Sequence, residues 1–189
     1  MSRADSVSFF ANPSGDFPQV DPTAYVDPAA RVIGHVIIGA NVYVGPYAVI
    51  RADEIGDDGQ VQPVIIGDES NVQDGVVIHA LGGTEVRVGK RTSLAHGCVV
   101  HGPAVIGDGC FVGFNAVVYN CVLAAGSFVG TSAVVQEVRL SDNALVPHAG
   151  AVLSKEDAAM YVKTTGEKEI QFMEKIINTN LLLTKGYRQ

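Results

Sequence analysis

Residues 88–118 read VGKRTSLAHGCVVHGPAVIGDGCFVGFNAVV, and an aliphatic residue stands at every sixth position: Val88, Leu94, Val100, Ile106, Val112 and Val118. A period of six is not the 3.6 of an α-helix, and no amphipathic helix holds such a pattern over a hundred residues. Glycine often follows the aliphatic residue, as in Ile106-Gly107 and Val112-Gly113, and a small residue often sits four places after it, as at Cys98, Cys110 and Ala116. This mixture of Val, Ile and Gly favours short strands joined by tight corners and excludes helix.

The series extends in both directions. Towards the N-terminus it runs through Val20, Val26, Val32, Ile38, Val44 and Ile50, then Ile66, Val72 and Ile78; towards the C-terminus through Leu123, Val129, Val135, Leu140, Val146 and Val152. Three hexapeptides per turn make a triangular coil with the aliphatic residues stacked inward and neighbouring coils hydrogen-bonded in parallel, about 22 hexapeptides or about seven coils in all. The intervals from Ile50 to Ile66 (16 residues) and from Ile78 to Val88 (10 residues) each read as whole hexapeptides plus four. Loops are therefore expected within 51–65 and 80–87. The all-β repeat occupies 20–153, after a lead-in over 1–19.

Residues 154–189 follow another pattern. Ser154 with Asp157, and Thr164 with Glu167, read as capping boxes, and Gly186 reads as a stop. Ile170, Met173, Ile177 and Leu181 recur at helical spacing, which predicts a helix over about 165–184 lying on the prism or on a neighbouring subunit.

The 189 residues suit one domain with a helical tail. A net charge of -7 and a pI near 5.1 exclude a polyanionic partner, so no nucleic acid is expected. The opening MSRADSVSFF lacks a signal-peptide core, and no apolar run approaches the roughly 20 residues that span a bilayer. A cytoplasmic protein without membrane attachment is expected. Cys98, Cys110 and Cys121 form no CxxC pair and read as small buried wall residues in a reducing compartment.

The period gives each histidine an address. His79 and His101 both directly follow an inward aliphatic residue, and removing the four-residue extrusion from the 22 residues between them leaves one coil of 18. They should stack on one face, roughly 5 Å apart. His96 lies one hexapeptide before His101 on a different face, about 17 Å away along extended chain. A third imidazole must then come from a neighbouring subunit. The same counting stacks Arg51 over Gln73 on the face of His96, with Asp53 and Asp74 close by, as a polar subunit interface would require. His35 and His148 stack with no other histidine and read as satisfied surface residues. Three neutral imidazoles with an open fourth position are the catalytic form of a zinc site, and Fe(II) or Co(II) suits the same ligands.

Arg51-Ala-Asp53-Glu54, Asn71-Val-Gln73-Asp74-Gly-Val-Val-Ile-His79, Ser93-Leu-Ala-His96 and Val100-His101-Gly-Pro together resemble the γ-class carbonic anhydrases. The resemblance covers 20–152 and reaches Leu183-Thr-Lys-Gly186-Tyr187 in the tail. It implies a left-handed parallel β-helix assembled as a homotrimer, with zinc at each interface held by His79, His96 and His101. Gln73 would hydrogen-bond the water at the metal, and Arg51, Asp53 and Asp74 would support the interface. Glu54 would handle protons, and Asn180 on the tail helix would orient bicarbonate. The implied reaction is the metal-dependent reversible hydration of carbon dioxide to bicarbonate. Two departures stand out. The loop after His79, Ala-Leu-Gly-Gly-Thr-Glu85, is short where the archaeal prototype carries a longer acidic loop, and Asn178 stands where that enzyme has an active-site Tyr. The same fold serves CoA-dependent hexapeptide acyltransferases and metal-binding scaffold subunits without turnover. Three ligand-spaced histidines oppose the former, and nothing in the chain resembles the extra domains of carboxysomal scaffolds.

Overall fold

The computed structural model describes residues 8–188. Short parallel strands wind into a three-faced β-helix, and an inward residue recurs at about every sixth position, with five-residue steps from Val118 to Leu123 and from Val135 to Leu140. On the first face, strands Arg31–Gly34, Val49–Ala52 and Val77–His79, the first parts of Val99–Ile106 and Val117–Leu123, then Val134–Gln136 and Ala151–Val152 bring Val32, Ile50, Ile78, Val100, Val118, Val135 and Val152 into register. The second face stacks Val20, Ile38, Ile66, Val88, Ile106, Leu123 and Leu140 in the same way. The third stacks Val26, Val44, Val72, Leu94, Val112, Val129 and Val146. Seven residues per face make seven turns. Ile50, Ile78, Leu94 and Leu123 are wholly buried, and each such side chain contributes about 1.5–3 kcal/mol through apolar area removed from water.

The corners explain the glycines and asparagines. At the turn from third to first face, successive coils place Tyr47 (φ 60°), Gly75 (φ 68°), Gly97 (φ 70°), Asn115 (φ 54°), Ser132 (φ 56°) and Ala149 (φ 54°) in the left-handed region. Gly97 adopts it without Cβ strain, and its position fixes the direction of His96 immediately before it.

One address from the period is wrong. Ile66 pairs with Ile38 and Val88 on the second face, so the chain takes a single hexapeptide step from Ile50 and extrudes the remaining residues. Arg51 consequently lies beside His79, in register with it, and not over Gln73. The two extruded loops dock on each other. The Gly82 N–H donates to Glu54 Oε2 at 3.0 Å. A Cβ on Gly56 would lie 2.7 Å from Gly83 Cα, and one on Gly82 would lie 2.6 Å from the Ile55 carbonyl oxygen.

The tail begins with α1, Lys155–Tyr161, where Ser154 Oγ accepts the Asp157 N–H at 3.0 Å. Thr164 is not a cap. Lys163–Thr164 instead forms an antiparallel strand against Ala144–Val146, and α2, Glu167–Tyr187, starts at Gly166, whose N–H donates to Glu169 at 3.0 Å. Gly186 lies within the last turn of α2 rather than beyond it. This helix covers the third face, burying Met173, Ile177, Asn180 and Thr184, while Ile170 stays 47% exposed because the contact stripe starts a turn later than the apolar spacing implied. Tyr187 stacks on Tyr25 at 4.9 Å and anchors the far end. Among the described residues, no helix is long and apolar enough to cross a membrane.

Candidate metal-binding site

Residues that follow an inward aliphatic residue on the first face point outward at the corner leading to the second face. This alternation aligns Arg51, His79 and His101 on adjacent strands. The two imidazole rings are 5.1 Å apart and near perpendicular, with His79 Nδ1 3.2 Å from His101 Nε2. His101 Nδ1 is 3.1 Å from the Gly102 carbonyl oxygen, which can only accept, so the proton of a neutral His101 sits on Nδ1 and its Nε2 carries a lone pair. Around His79 Nε2 stand Arg51 Nη2 at 3.2 Å, Asp53 Oδ1 at 3.3 Å and Glu54 Oε1 at 3.4 Å.

Two proton arrangements satisfy this cluster. With the His79 proton on Nδ1, it donates to His101, and Nε2 accepts from Arg51. With the proton on Nε2, it donates to the carboxylates, and two lone pairs then face each other across 3.2 Å. The second arrangement creates a place for a cation, and a carboxylate behind a ligating histidine is the usual device for holding that tautomer. Arg51 also pairs with Asp53 through Nε at 3.2 Å, keeping that carboxylate beside the ring.

His96 stands at the other edge of the first face, in the turn from the third. Its Nδ1 is 3.5 Å from Asp74 Oδ2, and its side chain is 54% exposed. Behind it, between α2 and the third face, a cavity of about 270 Å³ is lined by Tyr43, Gln73, His96, Phe114, Asn180 and Leu183. Gln73 is buried and held by a relay in which its Nε2 donates to Asn71 Oδ1 at 2.9 Å and Asn71 Nδ2 to Ser93 Oγ at 2.8 Å. Asn180 donates to the Ile176 carbonyl at 2.9 Å. Burial, and then the nearby negative charge of Asp74, push the Tyr43 phenol up to about 12.

The sequence-selected residues therefore form two clusters. Arg51, Asp53, Glu54, His79 and His101 meet at one edge, while Gln73, Asp74, His96 and Asn180 meet at the other. Among the described residues, no three His, Cys, Asp or Glu side chains converge to hold a metal within one chain. The donors suit zinc-like cations in kind, imidazole nitrogen being a common zinc ligand, but one chain brings only two together. Arg51 follows Ile50 as His79 follows Ile78, but only the strand pairing puts the two on one face. Phe114, stacked on His96, lies one coil of 18 residues after it and shares its address, whereas Gly82, bonded to Glu54 from an extruded loop, carried no such signal. His35 Nδ1 lies 2.8 Å from the Val61 carbonyl, and His148 Nδ1 accepts the Thr131 N–H at 2.9 Å.

Residues 85–120 match the family described as bacterial transferase hexapeptide (six repeats). The chain is 37% identical to the carbonic anhydrase of Methanosarcina thermophila, across 94% of this chain and 78% of that protein. It is 35% identical to the carboxysome assembly protein CcmM of a Nostoc species, over 89% of this chain but 31% of that one. It is 35% identical to the carnitine operon protein CaiE of Shigella dysenteriae, over 93% and 87% respectively. Among solved structures, a hexapeptide transferase family protein from Anaplasma phagocytophilum superposes with a TM-score of 0.80 at 25% identity, over 95% of this chain and 98% of that one. The match to the archaeal enzyme over most of both chains places this protein in the γ-class carbonic anhydrase family of hexapeptide-repeat proteins.

Proposed function

We propose that this protein is a cytoplasmic homotrimer that catalyses the reversible hydration of carbon dioxide to bicarbonate, with one zinc at each subunit interface. Fe(II) or Co(II) suits the same donors. The observation that carries the reading is the division of the site. His79 and His101 bring two ring nitrogens within 3.2 Å of each other on one edge of the first face, and His96 stands on the opposite edge. Between the edges runs an outward ladder of Val49, Val77, Val99, Val117 and Val134 in strict register. A parallel sheet is ordinarily covered on both sides, and α2 covers only the third face, so a second copy is the natural cover for the first. Threefold packing through this face would bring one copy's His96 to its neighbour's histidine pair.

A divalent cation held by neutral imidazoles supplies the Lewis acidity that makes water nucleophilic near neutral pH. The side chains around it orient the reactants and remove a proton. Gln73 is fixed through its amide nitrogen, which leaves its carbonyl oxygen to accept from the attacking water. Asn180, buried in the lining of the cavity, offers an amide to bicarbonate. Glu54, pinned by Gly82 and 3.4 Å from His79, takes the released proton towards solvent. Equal hydration rates for wild type and Glu54→Gln across buffer concentrations would remove that role.

The short loop after His79 favours a second reading, a metal-binding homologue without turnover. Stopped-flow carbon dioxide hydration decides between them, using protein loaded with Zn, or anaerobically with Fe(II), and metal counted per subunit. The enzyme reading expects one metal per subunit and turnover that His96→Ala abolishes. Full occupancy without hydration with either metal leaves only the second reading, and tight CoA binding by metal-free protein points instead to an acyltransferase.

A further inference from the structure

Asp74, His96 and Phe114 occupy one corner position on three successive coils, each two residues past an inward residue of the third face. The His96 ring lies nearly parallel to that of Phe114, with an interplanar angle of 13° and centroids 5.6 Å apart, while Nδ1 is 3.5 Å from Asp74 Oδ2. Among the described residues, His96 Nε2 has no hydrogen-bond partner. Phe114 is braced in turn. It meets Phe111 edge-on at 6.4 Å, and Phe111 stacks on Phe128 at 4.9 Å and meets Phe172 of α2 at 5.2 Å.

This packing addresses a weakness of the site. His96 is the most exposed of the three histidines at issue, and an imidazole on an open corner would otherwise sample several rotamers. A parallel aromatic neighbour fixes the ring plane, and the carboxylate on the other side fixes which nitrogen points back into the chain. What remains is Nε2, on a ring that is more than half exposed.

We propose that Phe114 is a positioning residue that holds the His96 ring with Nε2 presented across the subunit interface, braced through the Phe111, Phe128 and Phe172 cluster. The proposal rests on the reading of His96 as a ligand supplied to a neighbouring copy. No catalytic contact is assigned to Phe114. Its contribution is to the geometry and affinity of the metal centre.

The test uses Co(II) as probe on full-length wild type, His96→Ala, Phe114→Leu and Phe114→Tyr. It reads affinity against a competing chelator, the visible absorption of bound Co(II), and oligomeric mass. Phe114→Leu is expected to keep the mass, weaken Co(II) binding about tenfold and shift the absorption bands, since supporting contacts of ligating histidines typically contribute at least that factor. Phe114→Tyr, which keeps the aromatic face, should restore both. Wild-type affinity and spectrum in Phe114→Leu, alongside metal loss in His96→Ala, would overturn the positioning role while leaving the ligand reading intact. Equal damage in Phe114→Leu and Phe114→Tyr, or loss of assembly in Phe114→Leu, would also overturn it, because the cause would then be packing. Undiminished binding in His96→Ala would overturn both readings together.

Discussion

Arg51 and His79 are register partners on adjacent strands of the first face, with the guanidinium 3.2 Å from the imidazole Nε2. Arginine can only donate, so this contact alone would keep the His79 proton on Nδ1, facing His101. Asp53 and Glu54 oppose it by offering acceptors to the same Nε2, and Arg51 is drawn off by its own pairing with Asp53. Replacing Asp53 by Asn removes one acceptor charge and frees Arg51 to hold the metal-incompetent tautomer. Asp53→Asn is expected to lower zinc affinity by about 10–100-fold, the range typical of such supporting carboxylates. Competition with a chromophoric chelator measures it, and unchanged affinity would refute the tautomer argument.

A site split across two edges of one face can be rebuilt from two damaged chains. His96→Ala keeps the histidine pair, and His101→Ala keeps the lone histidine at the opposite edge. Each alone should bind little zinc. Co-refolded in equal amounts, random assortment within closed trimers should restore about a quarter of the sites. Bound zinc after gel filtration gives the fraction directly. No recovery in mixed assemblies of normal mass would show that the three histidines do not share a site.

These experiments also mark what could be read from the sequence. The stacked aliphatic residues from Val20 to Val152 were legible because successive coils repeat one position, with five-residue steps only at Leu123 and Leu140, although Val20 and Val26 in the first coil are only partly buried. The stacking of His79 on His101 followed, since only four residues are extruded between them. Arg51 was misplaced because a period counts positions only modulo six. The interval from Ile50 to Ile66 can hold two hexapeptide steps and a short loop, or one step and a long one, and only strand pairing distinguishes these. The cap of α2 escaped for a different reason: Thr164 has the right chemistry but is drawn into an antiparallel pair with Ala144, and Gly166 caps instead. The stacking of Phe114 on His96 was within reach of the same counting, since 18 residues separate them, whereas the docking of Gly82 on Glu54 joins two extruded loops that have no address.

The valine ladder makes assembly separable from folding. Val77 is 37% exposed and points away from the prism interior, so Val77→Asp should leave the coil stack intact while placing an unpaired carboxylate in the proposed interface. Sedimentation velocity should show monomer in place of trimer, circular dichroism should be unchanged, and zinc binding should fall with the trimer. A trimeric Val77→Asp protein that keeps its zinc would move the interface to another face.

The three cysteines give a pH test of the core. Burial pushes the Cys98 thiol up to about 12, Cys110 to about 11 and Cys121 to about 12, from an ordinary 9.0. In folded, metal-free protein at pH 8, a thiol reagent should therefore label none of them quickly, and all three should react once guanidinium unfolds the chain. The sign of the linkage follows from the same shifts. The folded state binds these protons more tightly than the unfolded state, so the stabilisation is fully present below pH 9 and is lost as pH rises through 11 and 12. Tyr43, raised to about 12, titrates in the same direction, so wild type alone cannot isolate the thiols. Denaturation midpoints from pH 8 to 11 should fall less steeply in Cys98→Ala than in wild type, although the variant starts lower because a buried atom has been removed. Parallel slopes would mean that Cys98 ionises alike in both states, so that burial does not hold its proton, and rapid labelling of any one thiol at pH 8 would mean that its coil opens to solvent.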